Sequence, residues 1–414
     1  MMLREEIKDH LQNVLIPFWK SMRDNENGGY YGLLDFDLKV DKKAVKGCIL
    51  NSRILWFFSN AYLMLGEASL LLEADHAYEF LEQYCMDKIY GGVYWSLKYN
   101  GEVEDSMKHT YNQAFAIYAL SSYYDASGKE TALWQAAKLY DLIESICCDG
   151  KGYLEAFSED FKLVGNEKLS ENGVMAEKTM NTLLHVFEAY TEFYRVLLKE
   201  EKQQNQEGNR VLSSKQKEEL KKSVGEKLRW ILDLFIEKIY NPKKERQEVF
   251  FDCDWHSLID LHSYGHDIET AWLIDRGCEI LGDPIYTEKC SKMTTALTKK
   301  IYERAYQNHS VLNECENGID NKNRIWWIQA EAMVGFLNGY EKQPEKIEYY
   351  QAVEDIWNYI KEYLMDKRKG SEWFWEVDEK NIPFNKKPLV EPWKCPYHNG
   401  RMCFEMIRRL RNAS

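Results

Sequence analysis

A Gly–aromatic pattern that recurs about every 60 residues is the feature that most constrains the fold of this chain. Gly-Gly-Tyr-Tyr at 28–31 returns as Gly-Gly-Val-Tyr at 91–94, and weaker copies occur at 152–153 and 370–375. One pair of helices with its connections needs about 60 residues of chain. The 414 residues therefore predict about six helical pairs.

The segments between these copies have the apolar spacing of helices. Met180, Leu183, Leu184 and Phe187 follow the i, i+3, i+4, i+7 pattern, and several other segments repeat it. Strand-like alternation is short and rare, so an all-α fold is expected. Six helical hairpins can close into a ring, with inner helices around a central cavity and short Gly/aromatic hairpin loops on one rim. An open helical solenoid is the alternative that the repeat leaves open.

The chain contains no obvious domain boundary, because no Pro-, Gly- or Ser-rich linker interrupts it. We therefore expect a single domain over residues 1–414. Residues 199–222 differ from the rest, because they contain almost no large apolar side chains and are rich in Lys, Glu and Gln. This segment is predicted to be a charged insertion loop or a helix extension.

Charge and cysteine usage limit the partners and the compartment. The net charge of −13 argues against nucleic acid or an anionic membrane as the main partner. The 10 cysteines form no C-x-x-C pair, no apolar signal segment starts the chain, and no run of about 18 apolar residues occurs. We expect a reduced, soluble, cytoplasmic protein that is a monomer or a weak homodimer. The 13 Trp and 27 Tyr favour a cleft that binds a sugar.

Two histidines stand in unusual surroundings and are candidates for proton transfer. His266 and Glu269 are three residues apart on a predicted helix, so an imidazole and a carboxylate point to the same side. A carboxylate beside a histidine fixes its tautomer and raises its basicity, as proton transfer requires. His398 lies in the segment 393–401, which is rich in aromatic and polar residues. A buried histidine that is satisfied by a helix neighbour is the structural alternative.

Three further polar residues interrupt otherwise apolar helices. Asn181 and His185 lie one turn apart on one polar face, which is costly to bury unless it is paired or faces a wet cavity. Arg53 precedes the apolar run 54–58 and needs an anion, a carbonyl or a carboxylate as its partner. A hydrogen-bonded core network and a structural ion pair are the respective alternatives.

A metal site is weakly indicated. His262, His266 and Glu269 have a spacing that could bind zinc on a helix. Gly265 interrupts this spacing, however, and the chain contains no His-Glu-x-x-His motif. It also contains no glycine-rich loop of the kinds that bind nucleotide phosphates. We therefore expect no metal and no other cofactor.

Several long segments are similar to one known family. The chain resembles the N-acylglucosamine 2-epimerase family over nearly its whole length, and these segments are more specific than a single short motif. Residues 199–222 look longer than the matching region of that family. The segments that carry the resemblance are 51–62 (NSRILWFFSNAY), 107–124 (MKHTYNQAFAIYALSSYY), 169–173 (LSENG), 262–273, 326–331 and 393–402.

This resemblance implies an (α/α)6 barrel, which is a closed ring of six helical hairpins. It also implies reversible inversion at C2 of the reducing-end sugar of a β-1,4-linked disaccharide such as cellobiose, through ring opening and a cis-enediolate. In such a mechanism His266 and His398 are the acid/base pair. Glu269 orients and polarises His266, and Arg53 stabilises the enediolate oxygen. The residues implied to bind and stack the sugar are Tyr111, Asn181, His185, Trp327 and Trp393.

An aromatic cluster at 373–375 predicts a second platform for the disaccharide. It is near His398 and Trp393 in the sequence. Trp373 is the member that we expect to stack on the non-reducing sugar, since an indole face suits the C–H face of a sugar ring. It could equally pack between helices.

Other functions are compatible with the same residues. A monosaccharide or N-acylglucosamine 2-epimerase, or an aldose–ketose isomerase, would use the same enediol. A glycoside hydrolase would need two carboxylates about 5–10 Å apart, which Glu269 with Glu331 or Glu376 could supply. A non-catalytic helical scaffold would show no turnover and no need for His266.

Overall fold

The computed structural model describes residues 2–168, 172–199 and 211–410, and its helices form an outer and an inner layer. A π-helical turn at Leu11–Leu15 joins the first two outer helices into one. The outer helices are α1 (Leu3–His10), α2 (Ile16–Ser21), α4 (Ala68–Phe80), α6 (Glu130–Leu142), α8 (Ser214–Leu234), α10 (Pro284–Arg304) and α12 (Ile347–Tyr359). The inner helices are α3 (Cys48–Leu65), α5 (Thr110–Ser127), α7 (Met180–Leu197), α9 (Tyr264–Leu281), α11 (Trp326–Lys342) and α13 (Tyr397–Arg409).

The inner helices form a closed ring. Each inner helix packs against the next one along the chain, from α3 against α5 to α11 against α13. The ring closes because α13 packs back against α3. Each outer helix from α4 to α12 packs against the inner helix that precedes it. This arrangement is an (α/α)6 barrel, so the predicted fold class is confirmed and the open solenoid is excluded.

The inner helices are buried on nearly all sides. In α5 every residue from Thr110 to Tyr123 is buried, and in α3 every residue from Cys48 to Ser59. An inner helix is covered by an outer helix on one side and by its neighbours in the ring on two others, so little of its surface meets solvent. These segments are therefore apolar around most of their circumference. None of the helices in the described residues is both long and apolar enough to cross a membrane.

Every β-strand in the described residues is only two or three residues long. The strands are β1 (Lys46–Gly47), β2 (Ser96–Leu97), β3 (Val103–Asp105), β4 (Lys108–His109), β5 (Ala156–Phe157), β6 (Lys178–Thr179), β7 (Tyr240–Asn241), β8 (Arg246–Gln247), β9 (Phe250–Phe251), β10 (Leu261–Ser263), β11 (Tyr306–Gln307), β12 (Ser310–Val311), β13 (Glu314–Glu316), β14 (Ile319–Asn321), β15 (Arg324–Ile325) and β16 (Glu376–Val377). They form antiparallel sheets, two of them three-stranded in the orders β1-β2-β3 and β10-β13-β14. Strands β1, β4, β6, β10 and β15 lead directly into inner helices and so fix where those helices begin.

The Gly–aromatic copies form tight hairpins after the outer helices, on the barrel end where the inner helices begin. Each copy is closed by one antiparallel bridge. Gly28 and Gly91 both have a φ of 78°, which a turn of this kind requires and glycine tolerates. We call this end the hairpin rim. The bridged pairs are Arg23–Tyr30, Met86–Val93, Cys148–Tyr153 and Met365–Trp373.

A lysine with a buried side chain ties the rim together before each of the first three inner helices. Lys46 Nζ, at the start of α3, donates to Asp24 Oδ2 and to the Gly28 carbonyl, both at 2.7 Å. Because a buried charge is stable only when it is fully paired, these contacts hold the rim in one geometry. The equivalent ion pairs before α5 and α7 are Lys108–Asp87 and Lys178–Asp149, at 2.7 and 2.6 Å.

The predicted charged segment 199–222 falls partly on a helix. Its last residues form the first turns of α8, whose start is closed by a capping box between Ser213 and Gln216. Residues 200–210 lie outside the described residues. The preceding helix α7 runs away from the hairpin rim and ends at Leu197, so this connection leaves from the opposite end of the barrel.

Candidate active site

A cavity of about 180 Å³ lies where the inner helices begin. About half of its lining residues come from the first two turns of these helices, and the others come from the strands and loops of the same end. The helix N-termini around it carry partial positive charge, which favours a bound or developing negative charge. Nine of the ten residues predicted to form the site line this cavity: Arg53, Tyr111, Asn181, His185, His266, Glu269, Trp327, Trp393 and His398.

Trp373 is the exception, and the prediction that it forms a sugar platform is wrong. Its side chain is fully buried. Its indole Nε1–H donates to His10 Nε2 at 2.8 Å, so the ring packs between its hairpin and α1. Trp375, two residues further on in the same predicted cluster, lines the cavity instead.

His266 is held by a serine rather than by the predicted glutamate. Its Nδ1 is hydrogen-bonded to Ser263 Oγ at 2.7 Å, and its ring centre lies 4.9 Å from that of Trp327. Gly265 permits this contact between helices, because a Cβ at that position would lie only 2.5 Å from Trp327. Burial lowers the pKa of His266 to about 3, so the imidazole is neutral at pH 7.

Glu269 faces a different partner from the one predicted. Its carboxylate binds the Arg401 guanidinium, and its Oε1 lies 3.9 Å from Nδ1 of His398. The prediction that Glu269 orients His266 is therefore wrong. Its other oxygen, Oε2, is buried and has no hydrogen-bond partner among the described residues. Burial, reinforced by the nearby carboxylate of Glu331, raises the pKa of Glu269 to about 7.

His398 is oriented by a carboxylate from another inner helix. Its Nδ1 is hydrogen-bonded to Glu331 Oε1 at 2.7 Å, and Glu331 Oε2 accepts from Trp272 Nε1 at 3.0 Å. The ring centre of His398 lies 5.3 Å from that of Trp327, so both candidate histidines contact one indole. Burial raises the pKa of Glu331 to about 7. Burial and the neighbouring Arg401 lower the pKa of His398 well below its usual value.

Arg401 is the centre of a buried charged cluster at the base of the cavity. Its guanidinium, only 2% exposed, forms ion pairs with Glu188, Glu269 and Glu331. One cation thus offsets part of the charge of three buried carboxylates. Burial alone would raise the pKa of Glu188, but Arg401 and the hydrogen bond from His185 lower it to about 2. We call these four residues the Arg401 cluster.

His185 and Asn181 form the polar face that the sequence predicts on α7. His185 Nδ1 is hydrogen-bonded to Glu188 Oε2 at 2.9 Å, and the Tyr397 hydroxyl donates to the same carboxylate oxygen. Asn181 Oδ1 is buried and has no hydrogen-bond partner among the described residues. Since both His185 and Asn181 line the cavity, this face is a paired network with free polar atoms for a ligand.

Arg53 is buried without a carboxylate. Its Nη2 donates to the Tyr111 hydroxyl at 2.9 Å, and its guanidinium lies 4.1 Å from the ring centre of Phe115. Nε has no hydrogen-bond partner, and no carboxylate forms an ion pair with Arg53 within the described ranges. The structural ion pair considered as an alternative is therefore absent from the part of the chain that the structure describes. A buried cation that lines a cavity and has no carboxylate partner is suited to an anionic ligand.

Aromatic side chains form the upper wall of the cavity. The ring centres of Tyr111 and Trp393 are 6.0 Å apart, and that of Trp95 lies 5.8 Å from Trp393. Trp327 and Trp393 are only partly buried, whereas Trp326 is 2% exposed. This supports the preference for Trp327 over its neighbour as the residue that contacts a ligand.

Among the described residues, one group of side chains has metal-ligand spacing. Donor atoms of Glu269, Glu331 and His398 all lie within 4.8 Å of one another. Arg401 already contacts both of these carboxylates and supplies the positive charge that would hold them together. His262, considered as a ligand from the sequence, is hydrogen-bonded to Asp267 at 2.8 Å and is not among the residues that line the cavity.

Sequence reasoning did not assign a role in the site to Ser263, Arg401 or Tyr397, and it considered Glu331 only for a hydrolase. A spacing signal existed for some of them. Arg401 is three residues after His398, and Ser263 three residues before His266. The contacts of Glu331 with His398 and of Tyr397 with Glu188 join different helices, so no local spacing indicates them. Tyr397 also accepts from Arg401, which lies four residues later on the same helix.

The fold and the site together define an (α/α)6-barrel enzyme whose cavity is lined by three histidines, two of them bonded to carboxylates and one to a serine hydroxyl. The chain belongs to the N-acylglucosamine 2-epimerase (GlcNAc 2-epimerase) family, whose model matches residues 28–190 and 215–399. The resemblance seen in the sequence is thereby confirmed.

Similarity to individual members extends over the full chain. The chain is 48% identical to the cellobiose 2-epimerase of Eubacterium cellulosolvens over 407 residues, which are 98% of each chain. The crystal structure of a sugar epimerase from a ruminal bacterium matches with a TM-score of 0.91 at 46% identity, covering 99% of both chains. The cellobiose 2-epimerase of Bacillus thermoamylovorans B4167 matches with a TM-score of 0.90 at 42% identity, covering 98% of this chain and 99% of the other.

Proposed function

We propose that this protein catalyses the reversible epimerisation at C2 of the reducing-end glucose of cellobiose and related β-1,4-linked disaccharides, giving glucosyl-mannose. The observation that carries this proposal is the pair of histidines, the partly buried His266 and the buried His398, which line one cavity and contact the same Trp327. Inversion can use one group to remove the proton and a second to return one to the opposite face, or one group together with rotation about C2–C3, and the two histidines fit the first route. Family membership and full-length similarity to cellobiose 2-epimerases support the sugar and the reaction.

The reaction begins with ring opening, because the C2–H bond of the closed sugar is not activated. The C1 carbonyl of the open form acidifies the C2 proton. One histidine then removes this proton, and the electron pair of the C–H bond moves into a cis-enediolate. The other histidine, which has taken up a proton beforehand, returns it to C2 from the opposite face, and exchange of one proton with water on each ring restores both imidazoles. Each positioned acid–base group contributes about 10²–10⁴-fold to the rate.

Arg53 stabilises the negative oxygen of the enediolate. Its charge has no carboxylate partner in the described residues, and its Nε–H is unpaired. The N-termini of the inner helices add positive potential to the same space. Electrostatic stabilisation of this kind can lower the barrier by about 3–4 kcal/mol.

Free polar atoms in the cavity bind the sugar hydroxyls. Asn181 Oδ1 and Glu269 Oε2 have no partners in the described residues and are available as acceptors. His185, fixed through Nδ1 by Glu188, presents its other ring nitrogen as a further contact. Tyr111 shapes the site because its hydroxyl accepts a hydrogen bond from the Arg53 guanidinium.

The aromatic wall favours a disaccharide over a monosaccharide. Trp327 contacts both histidines and so belongs to the reducing-end site. Trp393 and Trp375 also line the cavity, are only partly buried, and offer faces for the second sugar in place of Trp373. The hydrolase alternative loses support, because Glu269 and Glu331 both bind Arg401 and so lie together rather than across a glycosidic bond.

The remaining properties follow from the same proposal. We assign one catalytic domain to residues 1–414, with 199–222 as a charged insertion loop or helix extension. The enzyme acts without a metal or another cofactor and as a monomer or a weak homodimer. All 10 cysteines are free thiols, which fits a reduced cytoplasmic protein.

The test is incubation of the protein with cellobiose in D2O, followed by NMR. New mannose-type signals with deuterium at C2 are the expected result. Release of free glucose would identify a hydrolase, and a ketose as the main product would identify an isomerase. The efficiencies on cellobiose, lactose, glucose and N-acetylglucosamine are then compared. A higher efficiency on either monosaccharide would overturn the disaccharide assignment and leave the enediolate mechanism standing.

A further inference from the structure

The three histidines that line the cavity are all fixed through the same ring nitrogen, but by different partners. His185 Nδ1 is bonded to Glu188 at 2.9 Å. His398 Nδ1 is bonded to Glu331 at 2.7 Å. His266 Nδ1 is bonded to the hydroxyl of Ser263 at 2.7 Å, so it is the one of the three whose Nδ1 is bonded to an uncharged group.

Ser263 is held rigidly where this contact occurs. It is the last residue of β10, where it pairs with Glu314 of β13, and it is also the N-cap residue of α9. Its side chain is 7% exposed and contributes to the lining of the cavity. Because the backbone of Ser263 is fixed by both the strand end and the helix start, its hydroxyl can hold the imidazole of His266, three residues later, in one orientation.

We infer that Ser263 is the positioning residue of His266, and that its hydroxyl makes the two faces of the reaction chemically unequal. This inference rests on the proposed epimerase function. With Nδ1–H donating to Ser263 Oγ, the lone pair of His266 Nε2 is left to take the C2 proton. The C2–H bond breaks, an Nε2–H bond forms, and the electron pair stays in the enediolate.

The inequality arises after the proton has moved. An ionised Glu331 attracts the imidazolium of His398, whereas an uncharged hydroxyl gives the imidazolium of His266 much less support. His266 therefore returns its proton more readily, and its effectiveness depends on position rather than on charge. Removal of the Ser263 hydroxyl should damage proton transfer on the face of His266 and spare the face of His398.

The test compares Ser263→Ala and Ser263→Thr with the native protein and with Ser121→Ala as a matched control. Ser121 is a buried serine of α5 whose hydroxyl donates only to the Ile117 carbonyl, at 2.7 Å. Threonine keeps the hydroxyl and should retain activity within about threefold, whereas misplacing the imidazole in Ser263→Ala should lower inversion about 10–100-fold. If Ser263→Ala does not fold, Ser263→Cys serves instead, because a thiol fills the space but bonds weakly.

The deciding measurement is deuterium exchange at C2 in D2O, started separately from cellobiose and from glucosyl-mannose. In Ser263→Ala, the epimer whose C2–H faces His398 should still exchange with retention of configuration. Its ratio of exchange to inversion should rise at least about tenfold over the native ratio. From the other epimer, exchange and inversion should both fall.

Two results would overturn the inference. Equal falls of exchange and inversion from both epimers would indicate a structural role, and native behaviour of Ser263→Ala would indicate none. In both cases the native protein still epimerises cellobiose. If the native protein itself produces no glucosyl-mannose and no C2 exchange, the proposed function fails, and the inference about Ser263 fails with it.

Discussion

Two arginines at the base of the cavity are equally buried and very differently paired. Arg53 and Arg401 are each 2% exposed. Arg401 forms ion pairs with three glutamates, whereas Arg53 contacts a phenol, a thiol and aromatic faces. A buried charge must be compensated. The charge of Arg401 is compensated within the protein, and that of Arg53 is left for a ligand.

The comparison also separates the two candidate histidines, since His398 is bonded to the Arg401 cluster and His266 is not. His398→Ala and His266→Ala are each expected to lower kcat about 10²–10⁴-fold, because each removes one proton-transfer group. Turnover of cellobiose is measured beside circular dichroism. Normal turnover of folded His266→Ala would show that His398, which is bonded to the Arg401 cluster, is sufficient for proton transfer.

The two arginines should respond differently to lysine. Arg53→Lys is expected to lower kcat about 10²-fold with little change in the Michaelis constant, because lysine lacks the planar fork that faces the oxyanion. Arg401→Lys is expected to lower the free energy of unfolding by about 3 kcal/mol, because one ammonium cannot pair with three carboxylates. Kinetics and urea unfolding are measured for both. A change of only the Michaelis constant in Arg53→Lys would make Arg53 a binding residue.

The Arg401 cluster should impose a pH dependence. Burial raises the pKa of both Glu331 and Glu269 to about 7. Below that pH Glu331 is protonated and supports His398 poorly as a base, and above it the carboxylate accepts from Nδ1–H. We therefore expect kcat/KM to rise about tenfold from pH 6 to pH 8.

Glu331→Gln sharpens this prediction. The substitution removes a carboxylate charge that raises the pKa of Glu269. If kcat/KM of the variant still changes with pH through Glu269, that change should occur at lower pH than in the native protein. The pH profiles of kcat/KM for the native protein and the variant are compared. An identical step in Glu331→Gln would assign the titration to another group.

Two tryptophans provide a smaller contrast of the same kind, one on the cavity wall and one buried. Trp393→Ala is expected to raise the Michaelis constant for cellobiose several-fold and to leave glucose turnover similar, since a stacked sugar face contributes about 1 kcal/mol. Trp373→Ala should lower the free energy of unfolding by about 3–5 kcal/mol without changing the preference between the two sugars. A shifted preference in Trp373→Ala would contradict the placement of that ring.

Chelation should have the smallest effect. Because Arg401 supplies the cation among Glu269, Glu331 and His398, prolonged EDTA treatment followed by desalting is expected to leave activity unchanged. Metal content and turnover are measured together. Loss of activity that a stoichiometric divalent ion restores would mean that these three side chains bind a metal.

The fold was predictable because its signal is repeated. The Gly–aromatic turn recurs with each helical pair, and a regular alternation of turns and apolar helices has few closed solutions. Several residues of the cavity could be predicted as well, because Arg53, Asn181 and His185 interrupt otherwise apolar helices. His185 and Glu188 show where local spacing is sufficient. The two residues are three positions apart on α7, and they form a hydrogen bond with each other.

The same spacing failed for His266 and Glu269. On an inner helix, i and i+3 share a face, but the side chains of that face meet those of other helices, here α11 and α13. Glu269 is bound by Arg401 of α13, and Ser263 binds His266 from the opposite direction. Trp373 was misplaced for a similar reason, because its partner His10 lies at the other end of the sequence. Contacts between distant segments leave no periodic trace in a single sequence.

The way the ring closes has a consequence for how the enzyme comes into being. Each ion pair of a buried lysine with an aspartate on the hairpin rim joins residues that are near one another in the chain. Lys46 and Asp24, for example, are separated by 22 positions. Arg53 Nη1 meets Cys395 Sγ at 3.6 Å across 342 positions, and His398 belongs to the last helix. Local contacts form early and distant ones late. A chain leaving the ribosome can therefore build most of its barrel before it possesses an active site.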